Sequence, residues 1–69
     1  MEVTVNGVKQ MVPDGTAVTQ LLETLKIMPE RVVVELNLKI LKRAEHASAM
    51  LKEGDQVEIV HFVGGGSSG

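Results

Sequence analysis

Only one stretch of this chain has helical periodicity, and turn-forming prolines flank it on both sides. From Ala17 to about Ile27, the residues Val18, Leu21, Leu22 and Leu25 recur at helical spacing, with Gln20, Glu23 and Lys26 between them. That pattern predicts a helix with one apolar stripe and one wet face. Pro13-Asp14-Gly15 precedes it as a turn, Thr16 offers a hydroxyl as N-cap, and Pro29 stops it. A single amphipathic helix buries its stripe against a sheet, so the rest of the chain has to supply strands.

Residues 2 to 6 alternate, with Val3 and Val5 on one face and Glu2, Thr4 and Asn6 on the other. Asn6-Gly7 then supplies the two positive-φ residues of a tight hairpin leading into a second strand over about 8 to 12. Val32-Val33-Val34-Glu35-Leu36 is β-branched and too short for a helix, which predicts a third, central strand with Val32, Val34 and Leu36 inward. Asn37-Leu38 is a turn before a short fourth strand near 39 to 42, and Ala44 to Leu51 reads as a brief helical turn or irregular connection with Met50 and Leu51 tucked in. After the turn Glu53-Gly54-Asp55, the last strand runs from Gln56 to Val63, with Val57 and Ile59 on one face and Glu58, Val60 and Phe62 on the other. The expected fold is α+β: a mixed sheet of four to five strands packed on one main helix, in the order of a β-grasp, ubiquitin-like roll. The domain spans 1–63, and 64–69 forms a flexible Gly-rich C-terminal tail.

The 69 residues are 43% apolar and 23% charged with a net charge of −2, which bounds them to one small domain. Ordering such a chain costs roughly 100 kcal/mol at about 1.5 kcal/mol per residue, so little remains for a strained catalytic pocket. The absence of cysteine excludes a disulfide framework, a thiolate zinc site and a nucleophilic thiol, and fits a reducing cytosol. No apolar run reaches a membrane-spanning length, and a cytoplasmic location is expected. Seven basic residues are spread along the chain and outnumbered by nine acidic ones, which disfavours nucleic acid as a partner.

Three features could carry chemistry. A strand leading into Gly64-Gly65-Gly66 offers bare backbone that a narrow channel could admit, although Gly64 to Gly69 also has the composition of an inert linker. Val33, Val60 and Phe62 fall on the sheet face opposite the expected core, as a docking patch or as scattered surface hydrophobes. His46 and His61 have no serine, carboxylate or second histidine at a usable spacing, so they are expected as surface or rim residues and not metal ligands. Single glycines at turns make no phosphate-cradling cluster, so no nucleotide site of the chain's own is expected.

Taken in order, Val5-Asn6-Gly7, Asp14-Gly15-Thr16-Ala17-Val18 with Leu21-Leu22, Pro29 to Asn37, Leu51 to Val60, and Phe62-Val63-Gly64-Gly65-Gly66 resemble the ThiS family, the sulfur carriers of thiamine biosynthesis. The resemblance covers residues 1 to 66. It implies a carrier that is not itself an enzyme. Its C-terminal glycine carboxylate, placed at Gly66 with Gly65 as the alternative, is adenylated by a ubiquitin-activating-like partner using ATP and magnesium. The acyl group then becomes a thiocarboxylate, drawing on a sulfur donor such as a cysteine desulfurase, and passes its sulfur to thiazole synthase. The chain binds no cofactor of its own in this reading. Val33, Val60 and Phe62 become the partner-docking surface.

Elementary chemistry agrees with the resemblance. A terminal carboxylate, with a pKa of about 3.3 to 3.7, is anionic at neutral pH and a poor acyl electrophile until it is activated. A chain without cysteine cannot hold sulfur as a persulfide, which leaves the terminal acyl carbon to carry it. Two departures from the family pattern stand out. Asn37-Leu38 occupies a turn where Asn-Gly is common, and Ser67-Ser68-Gly69 follows the diglycine and would need removal by a peptidase if it is natural. A sulfur carrier for molybdopterin or another cofactor, or a ubiquitin-like binding module with an inert tail, remains the alternative.

Overall fold

The computed structural model describes residues 1–62. Strand β1 (Glu2–Val5) buries Val3 and Val5 and turns through Asn6 and Gly7, at φ +49° and +82°, into β2 (Val8–Met11). Helix α1 (Val18–Thr24) follows, then β3 (Val32–Leu36), β4 (Lys39–Leu41) and β5 (Gln56–His61). The strands lie in the order β2-β1-β5-β3-β4, with β1 and β5 parallel and the other pairs antiparallel. This is the expected β-grasp roll. The central strand is β5, however, and β3 is an inner strand between β5 and β4.

Helix α1 packs Val18, Leu21 and Leu22 onto the sheet face made by Val3, Val5, Val34, Val57 and Ile59, and Leu51 closes this core. Leu36 is only half-buried at its margin. Met50 is exposed, because it forms a bridge with Ala17 that turns its side chain outward, and only Leu51 is tucked in.

The helix begins one residue later than expected. Ala17 is the N-cap, and its N–H donates to Gln20 Oε1 at 2.8 Å, whereas the Thr16 hydroxyl donates to the Pro13 carbonyl at 2.7 Å within the preceding turn. A side-chain cap is dispensable here because the loop after β4 supplies carbonyls to the helix start. Val18 N–H donates to Ala49 O at 3.0 Å and Thr19 N–H to His46 O at 3.1 Å, satisfying amides that a helix start leaves unpaired. The helix also ends earlier than its apolar spacing, at Leu25, and Pro29 instead opens a 3-10 turn, Pro29–Arg31, that feeds β3.

The 44–51 connection contains a 3-10 turn at Arg43–Glu45. Strand β5 stops at His61, so Phe62 lies just beyond it, while Val63 and the expected domain boundary lie outside the described residues. No helix among the described residues is long and apolar enough to cross a membrane.

Candidate functional site

On the sheet face away from α1, Val33 of β3 stands directly opposite Val60 of β5. Phe62 continues the same alternation, and its N–H donates to Arg31 O at 3.2 Å, which extends the β3–β5 ladder past the strand end. The three side chains are 37%, 53% and 52% exposed, so they form a contiguous apolar strip leading to the end of the last strand. Ile40, 67% exposed, joins this face from β4 as the register partner of Glu35 and is absent from the sequence-based assignment. The sequence carries no clear signal for it: its outward position follows from the pairing with Glu35 and from Leu41, which packs against the core.

Below the strip, Glu35 and Glu58 face each other across β3 and β5. Two like charges directly opposite disfavour the pairing, and they give one end of the apolar strip an acidic border. At the tip of the β3–β4 hairpin, Leu38 is 87% exposed and holds φ +72°, a conformation that costs a branched side chain roughly 1–2 kcal/mol.

Strand β5 is gripped at its start and its middle by left-handed asparagines. Asn6 accepts Ile59 N–H on its Oδ1 at 2.7 Å and donates from Nδ2 to Ile59 O at 3.0 Å. Asn37, at φ +51°, accepts Gln56 N–H on Oδ1 at 2.9 Å and donates from Nδ2 to Asp55 Oδ1 at 3.0 Å. These contacts hold the strand whose end leads toward the glycines. Gly64, Gly65 and Gly66 themselves lie outside the described residues.

The two histidines differ. His61 is exposed, at the register position opposite Val32. His46, expected at the surface or rim, is buried, because its loop folds against the start of α1 to deliver the carbonyl that Thr19 uses. Its Nδ1 has no hydrogen-bond partner among the described residues. Burial pushes the His46 pKa below its ordinary value, the nearby Arg43 adds to that, and Glu45 opposes it. Among the described residues no three His, Asp or Glu side chains gather as a metal site. A shallow cleft of about 320 Å³ lies between the end of β2 and α1, lined in part by Met11, Pro13, Thr16, Gln20 and Leu21, at the end of the sheet remote from His61.

A sequence model described as the ThiS family matches residues 1–66. A thiazole synthase of Magnetococcus marinus is 39% identical over 66 residues, covering 96% of this chain and 20% of that protein. One from Paramagnetospirillum magneticum is 36% identical over 67 residues, covering 97% and 21%. The chain thus spans about a fifth of the length of these two relatives. The sulfur carrier protein ThiS of Bacillus subtilis is 36% identical over 53 residues, 77% of this chain and 80% of that protein. The crystal structure of a thiamine biosynthesis protein (ThiS) from Geobacter metallireducens superposes with a TM-score of 0.83 at 41% identity, covering 94% of this chain and 99% of that one.

Proposed function

This chain belongs to the ThiS family, and from that premise we propose that it is a protein cosubstrate, a sulfur carrier for the thiazole of thiamine, chemically modified at its C-terminal glycine. The observation that carries this reading is the family match over residues 1–66, which ends on the third glycine after β5. The Bacillus relative named as a sulfur carrier supports it.

The chemistry proceeds in two substitutions. The glycine carboxylate attacks the α-phosphorus of ATP, bound with magnesium by a ubiquitin-activating-like partner, and pyrophosphate leaves. A hydrosulfide equivalent, from a sulfur donor such as a cysteine desulfurase with a thiol reductant that releases its persulfide sulfur as sulfide and itself ends as a disulfide, then attacks the acyl carbon, and AMP leaves with the bridging oxygen. The product is a thiocarboxylate on this chain. The apolar strip of Val33, Val60 and Phe62, with Ile40 beside it, is the surface that seats the adenylating partner and orients the tail toward its ATP. Thiazole synthase is the acceptor, a role supported by relatives of that name that carry a segment like this chain within one polypeptide.

The test is intact mass of the chain ending at Gly66 after incubation with the adenylating partner, ATP and a sulfur donor. One oxygen exchanged for one sulfur, confined to the C-terminal peptide, is the expected result. Modification at an internal side chain, or none with a partner proven active, would overturn the reading.

A further inference from the structure

We propose that Asn6 is a positioning residue that holds the root of the C-terminal tail, an inference that rests on the carrier reading for its catalytic consequence and on geometry for the rest. Strand β1 ends at Val5, which pairs with Val57, yet β5 continues to His61. Past Val57, the edge of β5 that faces β1 has run out of strand. Asn6 takes over there. Its backbone N–H donates to Val57 O at 2.9 Å, and its carboxamide meets both the N–H and the C=O of Ile59.

A carboxamide presents the same donor and acceptor as a peptide unit, so this side chain extends the parallel ladder beyond the turn. The position demands two properties at once. The turn requires φ +49°, which asparagine tolerates better than most side chains, and the ladder requires a donor beside an acceptor at this reach. Aspartate lacks the donor, glycine lacks both groups, and glutamine is one methylene too long.

The consequence lies at the end of the strand. With Asn6 in place, both backbone groups of Ile59 are bonded on the β1 side, while Phe62 is bonded to Arg31 on the β3 side, so the end of the strand is held along both edges. Without it, the segment Ile59 to Phe62 is held from the β3 side alone, and an end so held opens more often. A carboxylate carried several residues further on must reach a reacting phosphorus with a tolerance below an ångström, and freedom at the root is amplified along the tail. Asn6 therefore serves the chemical step from outside the apolar strip of Val33, Val60 and Phe62. Asn37 provides the internal control, because its carboxamide accepts from the N–H of Gln56 at the start of β5, away from the tail.

The experiment compares Asn6→Gly with Asn37→Gly. Each keeps a left-handed turn and deletes one carboxamide. In the free chain, Asn6→Gly should speed amide exchange at Ile59 and Phe62 by about ten-fold or more, and Asn37→Gly should leave those amides unchanged. In adenylation of the chain ending at Gly66, Asn6→Gly should lower kcat about ten-fold with KM within about two-fold, while Asn37→Gly changes neither. Unaltered exchange at Ile59, or an equal fall in kcat for both variants, overturns the proposal. If Asn6→Gly does not fold, Asn6→Asp, which keeps the acceptor for Ile59 N–H and loses the donor to its carbonyl, is read by exchange at Phe62 and by kcat. If the unsubstituted chain is not adenylated by an active partner, the carrier reading fails, and exchange at Phe62, whose N–H is bonded to Arg31 and not to Asn6, still decides whether Asn6 holds the strand end.

Discussion

Ile27 donates its backbone N–H to the Leu22 carbonyl at 2.9 Å, and this bond closes helix α1. Between them, Lys26 sits at φ +60° and donates to Glu23 O at 3.1 Å, so the two bonds form a Schellman-type cap with Lys26 as its left-handed residue. Glycine is the usual occupant of that position because it carries no Cβ penalty. Lys26→Gly should therefore stabilise the domain by about 1 kcal/mol and raise its Tm by about 4–8 °C, as calorimetry would show. An unchanged or lower Tm would mean that the lysine side chain contributes more than the strain it imposes.

That cap also shows where sequence reasoning runs out. Val18, Leu21, Leu22 and Leu25 keep helical spacing up to the break, and neither glycine nor asparagine marks position 26, so the periodicity predicts a longer helix than the seven residues found. Strand alternation is more dependable. It places Val33, Val60 and Phe62 on one face because each of the strands β3 and β5 has a buried partner set, Val32 with Val34 and Val57 with Ile59. Ile40 is not legible, because three residues of β4 offer too little alternation and its face is decided by pairing with Glu35. The burial of His46 is equally invisible, since its loop has no periodicity and is folded inward by backbone bonds to α1. Asn6 can be read as a turn residue, but its grip on Ile59 depends on the parallel pairing of the two chain ends.

His46 makes stability depend on pH. In the unfolded chain it titrates near 6.5, whereas burial and Arg43 hold its folded pKa lower, so between those values the unfolded state binds more protons. Its contribution is complete above about 6.5 and is lost as the pH falls from there through the folded value. Urea unfolding of the native chain should show stability dropping between pH 7.5 and about 5.5, and His46→Leu should show a smaller drop, since it keeps the other titrating groups. Equal slopes in the two proteins would remove His46 as the cause.

Phe62→Asp tests the docking strip. The ring is half exposed and stands beyond β5 on the face opposite Val57 and Ile59, so the substitution should leave the fold intact. Binding to the adenylating partner should weaken by ~2 kcal/mol or more, the scale of an anchor residue, measured by titration calorimetry. Ile40→Asp, on the same face, should weaken it in the same direction. Unchanged affinity in both folded variants would move the interface elsewhere on the molecule.

The last prediction concerns which carboxylate reacts. The family match ends at Gly66, so under the proposed function we predict reaction at the Gly66 carboxylate, with Gly65 as the alternative, and only in a chain without Ser67-Ser68-Gly69. A channel shaped for bare glycine backbone would have to accept two Cβ atoms and two hydroxyls if Ser67 and Ser68 entered it. The carboxylate would also move by as much as about 10 to 11 Å, the reach of three extended residues, against a reacting pair that tolerates far less. Pyrophosphate release by a peptidase-free adenylating partner should therefore be fastest with the chain ending at Gly66, and at least about a hundred-fold slower with the chain ending at Gly69. A chain ending at Gly69 that reacts as fast as one ending at Gly66 would show that no trimming is needed. A chain ending at Gly65 that reacts fastest would instead shift the site by one residue and leave the steric argument standing.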